Sequence, residues 1–584
     1  MPSVAPSAPT YRIRMLYDVK VPMRDGVRLS TDVYLPDAPG PFPVILIRTP
    51  YDNNGEPNVI DAMYFASRGF AVAVQDVRGR ADSEGEWAPF IHEAEDGFDA
   101  QQWAGTQPWS TGKVGTSGGS YVGMPQWWPT PLRNPHLTCL APRVATSNFY
   151  HHWVYTGGAF QLAFNQRWGA VQMHTRTNQV QYLWMPEANH YRTLFQHLPL
   201  LTGDEAAGRV APWYKDWIRH PDYGPYWERL GNLERKYHEI DVPAYGFGGW
   251  FDVFLQGTLN NFMGVRKEGR SERARRGQKV CIGPWIHDLG ARGTVTRTGD
   301  VDFGPAVKLD LRQEEVRWFD HWLKGIDNGV LDEPPVRVFV MGVNRWRQAS
   351  DWPIPGTRMT PYYFHSAGKA NSLFGDGLLD ARPPATEPPD TFVYDPRDPV
   401  PTLGGSTCCG EDITPVPMGP RDQRPAEWRP DVLVYTTPPL EADVEVTGPV
   451  RAILHAASTA RDTDFTAKLV DVYPSGHAIN VAQGILRARY RDSFEQPTLL
   501  EPGRTYPYTI DCWSTSNCFQ RGHRIRVEIS SSNFPQFDRN PNTGSPFGLD
   551  AELRPATQTI FHDAAHPSHI VLPIVPALAN TGEH

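Results

Sequence analysis

The sequence predicts an α/β unit that is interrupted by a helical insertion and followed by a β-sandwich. Continuous apolar runs at 43–47 and 70–74 are typical of strands that are buried on both faces of a parallel sheet. The stretch 146–240 is rich in Trp, Tyr, His and Gln and has helical spacing without a strand signal. Beyond residue 355, strict alternation such as RIRVEI at 524–529 predicts antiparallel strands with one solvent-exposed face.

The length of 584 residues predicts several domains, because a single core stops growing well below that size. We expect residues 1–145 to form the first part of the α/β domain and residues 241–355 to form its second part. Residues 146–240 lie between them and are expected to form a helical cap. Residues 356–584 are expected to form the sandwich, with a jelly-roll-like strand order.

The charge of the chain argues against nucleic-acid binding. There are 56 basic and 65 acidic residues, giving a net charge of -9. One basic stretch, at 266–279, is short and contains glutamates, which favours an exposed protein surface over a nucleic-acid site. No run of about 18 apolar residues occurs, so we expect no membrane partner.

The cysteine content favours a cytoplasmic protein with mostly reduced thiols. Six cysteines are few for this length and imply no disulfide framework, although Cys512 and Cys518 could pair in an exported protein. The N-terminal segment lacks the basic start and apolar stretch of a signal peptide.

The α/β part alternates predicted strands and helices. A helix is expected at 93–103, where acidic residues in the first turn suit the helix dipole. The short run 112–118 ends in glycines, and strands are predicted again at 242–247 and 279–282. The stretch 311–325 predicts an amphipathic helix that ends at a glycine. This alternation is typical of an α/β layer fold.

The glycine-rich segment VGTSGGSYVG at 114–123 is the candidate for a nucleophile elbow, a strained strand-turn-helix that exposes a serine. Ser117 satisfies the pattern G-x-S-x-G literally, whereas for Ser120 the second glycine comes one residue late. Pro125 lies nearer the first turn of a helix that begins after Ser120, which modestly favours Ser120. A glycine-rich turn without chemistry remains the alternative on these residues alone.

Two further residues strengthen the catalytic interpretation. Asp252 and His287 each follow an apolar run, at the strand ends where catalytic groups of open α/β sheets collect. Each alone would be an ordinary turn aspartate or a structural histidine. The chain order serine, acid, histidine is that of α/β-hydrolases, so order and position together predict a triad.

Several motifs resemble those of the cocaine esterase family, which is related to Xaa-Pro dipeptidyl peptidases, α-amino acid ester hydrolases and glutaryl-cephalosporin acylases. The resemblance extends through 338–342 and 464–471 to HPSHIVLPI near the C-terminus, and so covers nearly the whole chain. It implies an α/β-hydrolase domain with a helical cap insertion and a C-terminal jelly-roll-like β-sandwich, with Ser120 as the nucleophile. The motifs are Arg48-Thr-Pro-Tyr51-Asp52, QDVRGRADSEG at 75–85, Gly118-Gly-Ser120-Tyr121-Val-Gly123, GGWFD at 248–252 and GPWIH at 283–287.

The expected chemistry is that of a serine esterase. Serine needs an adjacent base to act as a nucleophile, and His287 would take the Ser120 proton. Asp252 would orient His287 and stabilise its imidazolium form. By resemblance, the Tyr51 hydroxyl and the backbone N–H of Tyr121 form the oxyanion hole.

The residues after the catalytic aspartate bear on the substrate. By resemblance, amino-acid ester hydrolases place an acidic pair there, but residues 253–255 are Val, Phe and Leu, and residues 151–153 of the insertion also lack carboxylates. An unpaired ammonium in such a pocket would be costly, so neutral or aryl acyl groups are favoured. The predicted acyl pocket, whose members are equally compatible with core packing, is Phe254, Trp153, Phe164 and Trp168.

No cofactor or metal is expected. His151 and His152 are adjacent and would point apart on a helix, and no HExxH or CxxC motif occurs. By resemblance, the loop with Cys408 and Cys409 approaches the active site, where small apolar packing is favoured over a redox role.

The sequence therefore predicts a carboxylic ester hydrolase that forms an acyl-enzyme and has a small-molecule ester as its partner. An amidase is the first alternative, either a β-lactam acylase or a proline-specific dipeptidyl peptidase. An inactive hydrolase scaffold with a binding sandwich is the second. Exposed sandwich edges are compatible with a homodimer.

Overall fold

A ten-stranded mixed sheet forms the first part of the protein. This structure, a computed structural model, describes residues 5–173, 176–177, 188–208, 210–408 and 416–576. The order across the sheet is β1-β2-β4-β3-β5-β6-β9-β10-β13-β14, and β7–β8 and β11–β12 are separate two-stranded pairs. The strands are β1 (Ile13–Pro22), β2 (Arg28–Pro36), β3 (Phe42–Thr49), β4 (Ala71–Asp76), β5 (Ser110–Gly119), β6 (Leu137–Arg143), β7 (Tyr155–Thr156), β8 (Ala159–Phe160), β9 (Ala244–Gly249), β10 (Gln278–Gly283), β11 (Arg297–Thr298), β12 (Val301–Asp302), β13 (Val336–Val340) and β14 (Arg345–Ala349).

The central strands are parallel and buried. β3 pairs in parallel with β4 and β5, and parallel pairing continues through β6, β9, β10 and β13. Every residue of β3 and β4 is buried, which confirms the strands predicted from the apolar runs. The antiparallel edge strands β1 and β14 were not predicted, because they are largely exposed and lack a continuous apolar run.

Helices connect the strands. α12 confirms the predicted amphipathic helix: the Asp310 side chain caps its start, and Gly325 ends it in a left-handed conformation with φ 73°. The helices of this part are α1 (Glu56–Ala66), α2 (Glu93–Thr106), α3 (Met124–Trp127), α4 (Leu162–Asn165), α5 (Ala188–Gln196), α6 (Gly203–Ala206), α7 (Pro212–Arg219), α8 (Pro225–Gly231), α9 (Leu255–Glu268), α10 (Glu272–Arg276), α11 (Leu289–Gly293) and α12 (Leu311–Lys324).

The insertion between β6 and β9 is mainly helical in its described residues. It includes two π-helical turns, Tyr150–Val154 and Gln166–Gln172. It also contains the β7–β8 hairpin, which the sequence did not indicate because two-residue strands are too short to leave a pattern. The insertion begins and ends side by side, since Leu233 N–H donates to the Ser147 carbonyl.

The last part of the chain is the β-sandwich. Its named strand pairs are antiparallel except β16 with β18. The jelly-roll strand order and the domain boundaries stay predictions. The elements are β15 (Arg358–His365), β16 (Leu378–Asp380), β17 (Asp390–Tyr394), α13 (Arg424–Glu427), β18 (Leu433–Thr436), β19 (Val444–Ser458), β20 (Asp464–Val472), β21 (Ala478–Arg487), β22 (Tyr506–Phe519), β23 (Arg524–Ser530), β24 (Ala556–Phe561) and β25 (His569–Ile574).

The expectation of one solvent-exposed face was wrong for β23. Arg526 and Glu528, two of the three polar residues of its alternating pattern, are buried, and only Arg524 at the start of the strand is partly exposed. Arg526 Nη1 donates to Glu427 of α13 at 2.6 Å, and Lys468 lies 3.8 Å from Glu528. The alternation therefore marks a face that is covered by α13 and neutralised by ion pairs, a case that alternation alone cannot distinguish from exposure.

A buried ion-pair network joins the cap to the sandwich. Arg487 at the end of β21 donates to Asp464 and to Asp538, each at 2.9 Å. Asp538 in turn accepts the N–H of Phe160 from the β7–β8 hairpin at 2.8 Å. The guanidinium and both carboxylates are at most 3% exposed. The hairpin of the cap is thus anchored to a charge cluster inside the sandwich.

We predict that Arg487→Gln lowers the free energy of unfolding by about 3–5 kcal/mol, because it leaves two buried carboxylates without their cation. Urea denaturation followed by far-UV circular dichroism measures this change. Arg382→Gln is the control, since Arg382 pairs with Asp380 but is 80% exposed, and its loss should cost at most about 1 kcal/mol. Equal stabilities of the two variants would contradict the importance of the network.

Candidate active site

Ser120 lies on a strained turn between β5 and α3. Its φ is 60°, the left-handed region, which costs a non-glycine residue roughly 1–2 kcal/mol. A 3-10 turn, Ser120–Gly123, follows at once, and Pro125 falls in the first turn of α3, where proline is tolerated. Ser117 instead lies within β5, fully buried, and its hydroxyl accepts from Arg143 at 3.4 Å. Only Ser120 therefore has the geometry of an elbow nucleophile.

Two glycines leave room for this turn. Gly118 has φ 139°, and a Cβ there would lie 2.2 Å from Cγ1 of Val122. A Cβ at Gly123 would lie 2.8 Å from the carbonyl oxygen of Arg143 on the neighbouring strand β6. Larger residues would force the turn away from the sheet.

His287 lies between a hydroxyl and a carboxylate. Its Nε2 is 2.8 Å from Ser120 Oγ, and its Nδ1 is 2.7 Å from Asp252 Oδ1. The three residues follow the carboxyl ends of the parallel strands β5, β9 and β10. Asp252 is fully buried, and its Oδ2 has no hydrogen-bond partner within the described part of the chain. The imidazole can take a proton from the serine while the carboxylate orients it.

The Tyr51 hydroxyl faces the same site. Burial raises the pKa of Tyr51 to about 12, even though a hydrogen bond from Trp168 acts in the opposite direction. The hydroxyl therefore stays protonated at neutral pH and accepts from Trp168 Nε1 at 3.0 Å. With the indole as its donor, its own hydrogen is free to point into a cavity of about 370 Å³ that Ser120 and His287 also line.

Tyr121 is fixed by its side chain. Its hydroxyl donates to Glu93 Oε1 at 2.9 Å, and Arg48 Nη1 donates to the same carboxylate at 2.5 Å. Its ring stacks on Phe90 with centroids 4.3 Å apart. The backbone N–H of Tyr121 lies in the first turn after Ser120, where such groups have no intrahelical partner.

The sequence did not predict these supporting contacts. Arg80 Nε donates to the Pro50 carbonyl at 2.9 Å and so fixes the backbone just before Tyr51. Arg48 and Arg80 both lie in the motifs that carry the family resemblance, which is the signal that could have marked them. Glu93 had only the general signal of an acidic residue at a helix start.

The four predicted acyl-pocket residues form one aromatic cluster beside His287. Phe254 meets the imidazole edge-on at 5.3 Å between centroids, and Trp153 stacks on Phe254 at 4.7 Å. Trp153 also contacts Phe164 at 5.2 Å and Trp168 at 4.9 Å. All four are at most 2% exposed, and none lines the cavity at Ser120. Their role as an acyl pocket stays a prediction.

The carboxylates around the site are already bound. Asp61 lines the cavity and accepts from Arg292, while Asp288 accepts the Gly290 N–H at 2.7 Å. Glu93 is held by Arg48, as described above. The preference for neutral acyl groups over ammonium-bearing ones stays a prediction.

Other predicted features fall outside the site. Among the described residues, no group of three or more His, Cys, Asp or Glu side chains is arranged to hold a metal ion. His152 hydrogen-bonds Asn260, whereas His151 stacks on Tyr223, so the two rings serve different contacts. No helix in the described ranges is long and apolar enough to cross a bilayer.

The predicted cysteine pairs have different outcomes. Cys512 and Cys518 are buried free thiols, so they do not bridge each other. Cys408 is disulfide-bonded, so the expectation that it serves only for small apolar packing was wrong, and Cys409 lies outside the described residues.

Comparison with known proteins adds independent support. Residues 25–288 match the family model for X-Pro dipeptidyl-peptidase (S15 family), and residues 328–571 match that for the X-Pro dipeptidyl-peptidase C-terminal non-catalytic domain. The cocaine esterase of Rhodococcus sp. (strain MB1 Bresler) is 38% identical over 96% of this chain and 98% of its own. The chain belongs to the cocaine esterase family. The resemblance drawn from the motifs is confirmed.

Solved structures of this family share the whole architecture. An aminopeptidase from a marine sediment archaeon (Thaumarchaeota archaeon) superposes with a TM-score of 0.84 at 27% identity, covering 98% of each chain. An α-amino acid ester hydrolase superposes with a TM-score of 0.80 at 26% identity, also over 98% of each chain. The predicted α/β-hydrolase domain with a cap and a C-terminal β-sandwich is thereby confirmed.

We predict that Gly118→Ala slows labelling of Ser120 by a fluorophosphonate probe about 100-fold, because the added methyl group displaces the elbow from its reactive geometry. Labelling rates and thermal midpoints measure the effect. Gly26→Ala is the matched control: Gly26 also has a positive φ, 88°, but a Cβ there meets no atom within 4 Å. Equal labelling rates in the two variants would show that a methyl group at residue 118, in contact with Val122, does not displace the elbow.

Proposed function

We propose that this protein is a serine hydrolase that cleaves carboxylic esters of neutral or aryl acids through an acyl-enzyme intermediate. The observation that carries the proposal is the imidazole of His287, which lies 2.8 Å from Ser120 Oγ and 2.7 Å from Asp252 Oδ1. Membership of a family that includes a cocaine esterase and an α-amino acid ester hydrolase supports ester hydrolysis.

The proposed reaction has two halves. Ser120 Oγ attacks the ester carbonyl while His287 Nε2 takes its proton, and the imidazolium then gives that proton to the leaving alcohol. A water molecule next attacks the acyl-enzyme with His287 again as base, which releases the acid and restores Ser120. Asp252 holds the imidazole in the required tautomer and stabilises its charged form.

The oxyanion would be bound by two donors. Burial raises the pKa of Tyr51 to about 12, which strengthens the preference of its hydroxyl for the protonated form, and Trp168 Nε1 donates to the hydroxyl oxygen, so the hydroxyl hydrogen remains available to an oxyanion. The backbone N–H of Tyr121 is the second donor. One such donor typically contributes about 3–4 kcal/mol of transition-state stabilisation.

The aromatic cluster makes the surroundings of the imidazole apolar. Phe254 contacts the imidazole, and Trp153, Phe164 and Trp168 pack behind Phe254, although none of the four lines the cavity at Ser120. Such surroundings disfavour an ammonium group, which would lose its hydration without gaining a counter-ion, and an aryl or alkyl acid carries no such charge.

A peptidase is the second candidate, because the matched family models are described as X-Pro dipeptidyl-peptidase and a structural relative is an aminopeptidase. It would need a group that recognises the free N-terminus of the substrate. Of the two carboxylates that line the cavity within the described ranges, Asp61 is occupied by Arg292, and Asp288 caps α11 by accepting the Gly290 N–H. The occupation of Asp61 by arginine favours the esterase.

The cellular setting is a further proposal. We infer a cytoplasmic protein from the low cysteine content. Cys139, Cys281, Cys512 and Cys518 are free thiols, whereas Cys408 is disulfide-bonded. A homodimer through exposed strand edges is likewise proposed, and light scattering of the purified chain tests it.

We predict that p-nitrophenyl esters of acetic and benzoic acid are hydrolysed with a burst of p-nitrophenol, and that Xaa-Pro-anilides are cleaved far more slowly. A fluorophosphonate probe should label Ser120, identified by peptide mass spectrometry, and Ser120→Ala should lose both labelling and turnover. Ser117→Ala is the matched control and should keep both. An absence of labelling in well-folded protein would favour the inactive scaffold, and faster anilide cleavage would favour the peptidase.

We predict that Tyr51→Phe lowers kcat about 100-fold or more with little change in KM, because the lost donor acts mainly in the transition state. Steady-state hydrolysis of p-nitrophenyl acetate measures this. Tyr394→Phe is the control, since it removes another buried tyrosine hydroxyl, bonded to the Asn540 carbonyl at 3.0 Å in the sandwich. A Tyr51 variant as active as this control would remove Tyr51 from the oxyanion hole.

A further inference from the structure

Three arginines surround one buried carboxylate beside the reaction cavity. Asp61 of α1 is 6% exposed in its side chain. Arg292 donates to both carboxylate oxygens of Asp61: Nη2 donates to Oδ2 at 2.7 Å, and Nη1 donates to Oδ1. Arg312 Nε donates at 3.2 Å and Arg143 Nη2 at 3.3 Å. Elements that are far apart in sequence therefore meet at a single carboxylate.

One of these elements is the loop that carries His287. α11 begins two residues after His287 and contains Arg292. The backbone here is strained, with φ 55° at Leu289 and 66° at Arg292, both in the left-handed region. Non-glycine residues keep such conformations only when surrounding contacts hold them. The two-pronged contact of Arg292 with Asp61 is such a contact.

A second element is the strand beside the nucleophile. Arg143 at the end of β6 pairs in register with Gly119, the residue before Ser120. Its Nη1 also donates to Ser117 of β5 and to the buried Glu315 of α12. The side chain of Arg143 is only 7% exposed, so the guanidinium is held in place by packing as well as by its ion pairs.

We propose that Asp61 is a positioning residue that fixes the His287 loop relative to the Ser120 turn, through Arg292 on one side and Arg143 on the other. The inference rests on the proposed function, because it assigns Asp61 to the geometry of the same two catalytic groups. It does not give Asp61 contact with the reacting atoms.

The cluster also places charged groups on the wall of the cavity that His287 lines. The three arginines face Asp61 and Glu315, which leaves one positive charge net. Asp61, Arg143 and Arg292 line the same cavity as His287, together with Tyr51 and Asp288, while Asp252 binds the imidazole and Phe254 packs on it. Loss of the Asp61 charge makes the surroundings more positive and disfavours imidazolium, and loss of the Arg292 charge does the reverse.

The experiment compares Asp61→Asn and Arg292→Gln in the full-length protein. Hydrolysis of p-nitrophenyl acetate is followed from pH 5 to 9 for kcat, KM and the acid limb of kcat/KM. Both variants should lose about 10- to 100-fold in kcat through misplacement of His287, with KM little changed. The acid limb should move to lower pH in Asp61→Asn and to higher pH in Arg292→Gln.

Arg292→Lys separates position from charge. Lysine keeps the positive charge but lacks the planar fork that grips both carboxylate oxygens. This variant should lose activity while its acid limb stays at the wild-type pH. Arg292 is 22% exposed and therefore tolerates substitution better than Asp61. If Asp61→Asn does not fold, the kcat values and acid limbs of Arg292→Gln and Arg292→Lys still test the positioning role.

Asp320→Asn is the matched control. Asp320 is a buried aspartate of α12 that pairs with Lys324 at 2.8 Å and does not line the cavity. Its loss should lower the thermal midpoint but leave kcat and the acid limb unchanged. Unchanged kcat in folded Asp61 and Arg292 variants, or acid limbs that move in the same direction, would overturn the proposal. Failure of the wild-type protein to hydrolyse any ester would instead count against the proposed function.

Discussion

The contact that the site depends on is the imidazole of His287 between Ser120 Oγ and Asp252 Oδ1. Its three members come from three strand ends, so the contact exists only if β5, β9 and β10 keep their register in the sheet. A shift of one residue in any of these strands would turn its side chains to the opposite face, disturb their packing and misplace the catalytic residue that follows its end. The distances between Ser120, His287 and Asp252 therefore depend on the pairing of the strands in the sheet.

Around this contact, the protein supports the strained nucleophile turn from several sides. Glycines make room under Ser120, and the hydroxyl of Tyr121 ties the turn to Glu93 and Arg48. Another part of the cavity wall is formed by an ion-pair cluster centred on Asp61. Strain at a functional residue persists only when its surroundings are over-determined, and these contacts supply that condition.

Much of the fold and of the candidate site could be predicted from sequence because it depends on local pattern. Buried parallel strands leave continuous apolar runs, and the elbow requires glycines at fixed spacing around Ser120. Contacts between distant segments left no such pattern: nothing in the sequence pairs Asp61 with Arg292, or Trp168 with Tyr51. The burial of Arg526 and Glu528 was missed for a related reason, since Glu528 pairs with Lys468 of β20 and Arg526 pairs with Glu427 of α13.

The anchoring of the cap hairpin has a consequence for how the enzyme is made. The Phe160 N–H binds Asp538, and the Ala163 N–H binds the Pro535 carbonyl, so cap residues near the aromatic cluster are supported by chain that is synthesised more than 300 residues later. Domains tend to fold in order as they leave the ribosome. The hydrolase sheet can therefore assemble early, but the cap above the nucleophile gains its support only when the sandwich has been translated. Until then the nucleophile turn of the nascent chain would lie beside a cap that lacks its contacts with the sandwich. We therefore expect the nascent chain to become catalytically active only when synthesis is nearly complete.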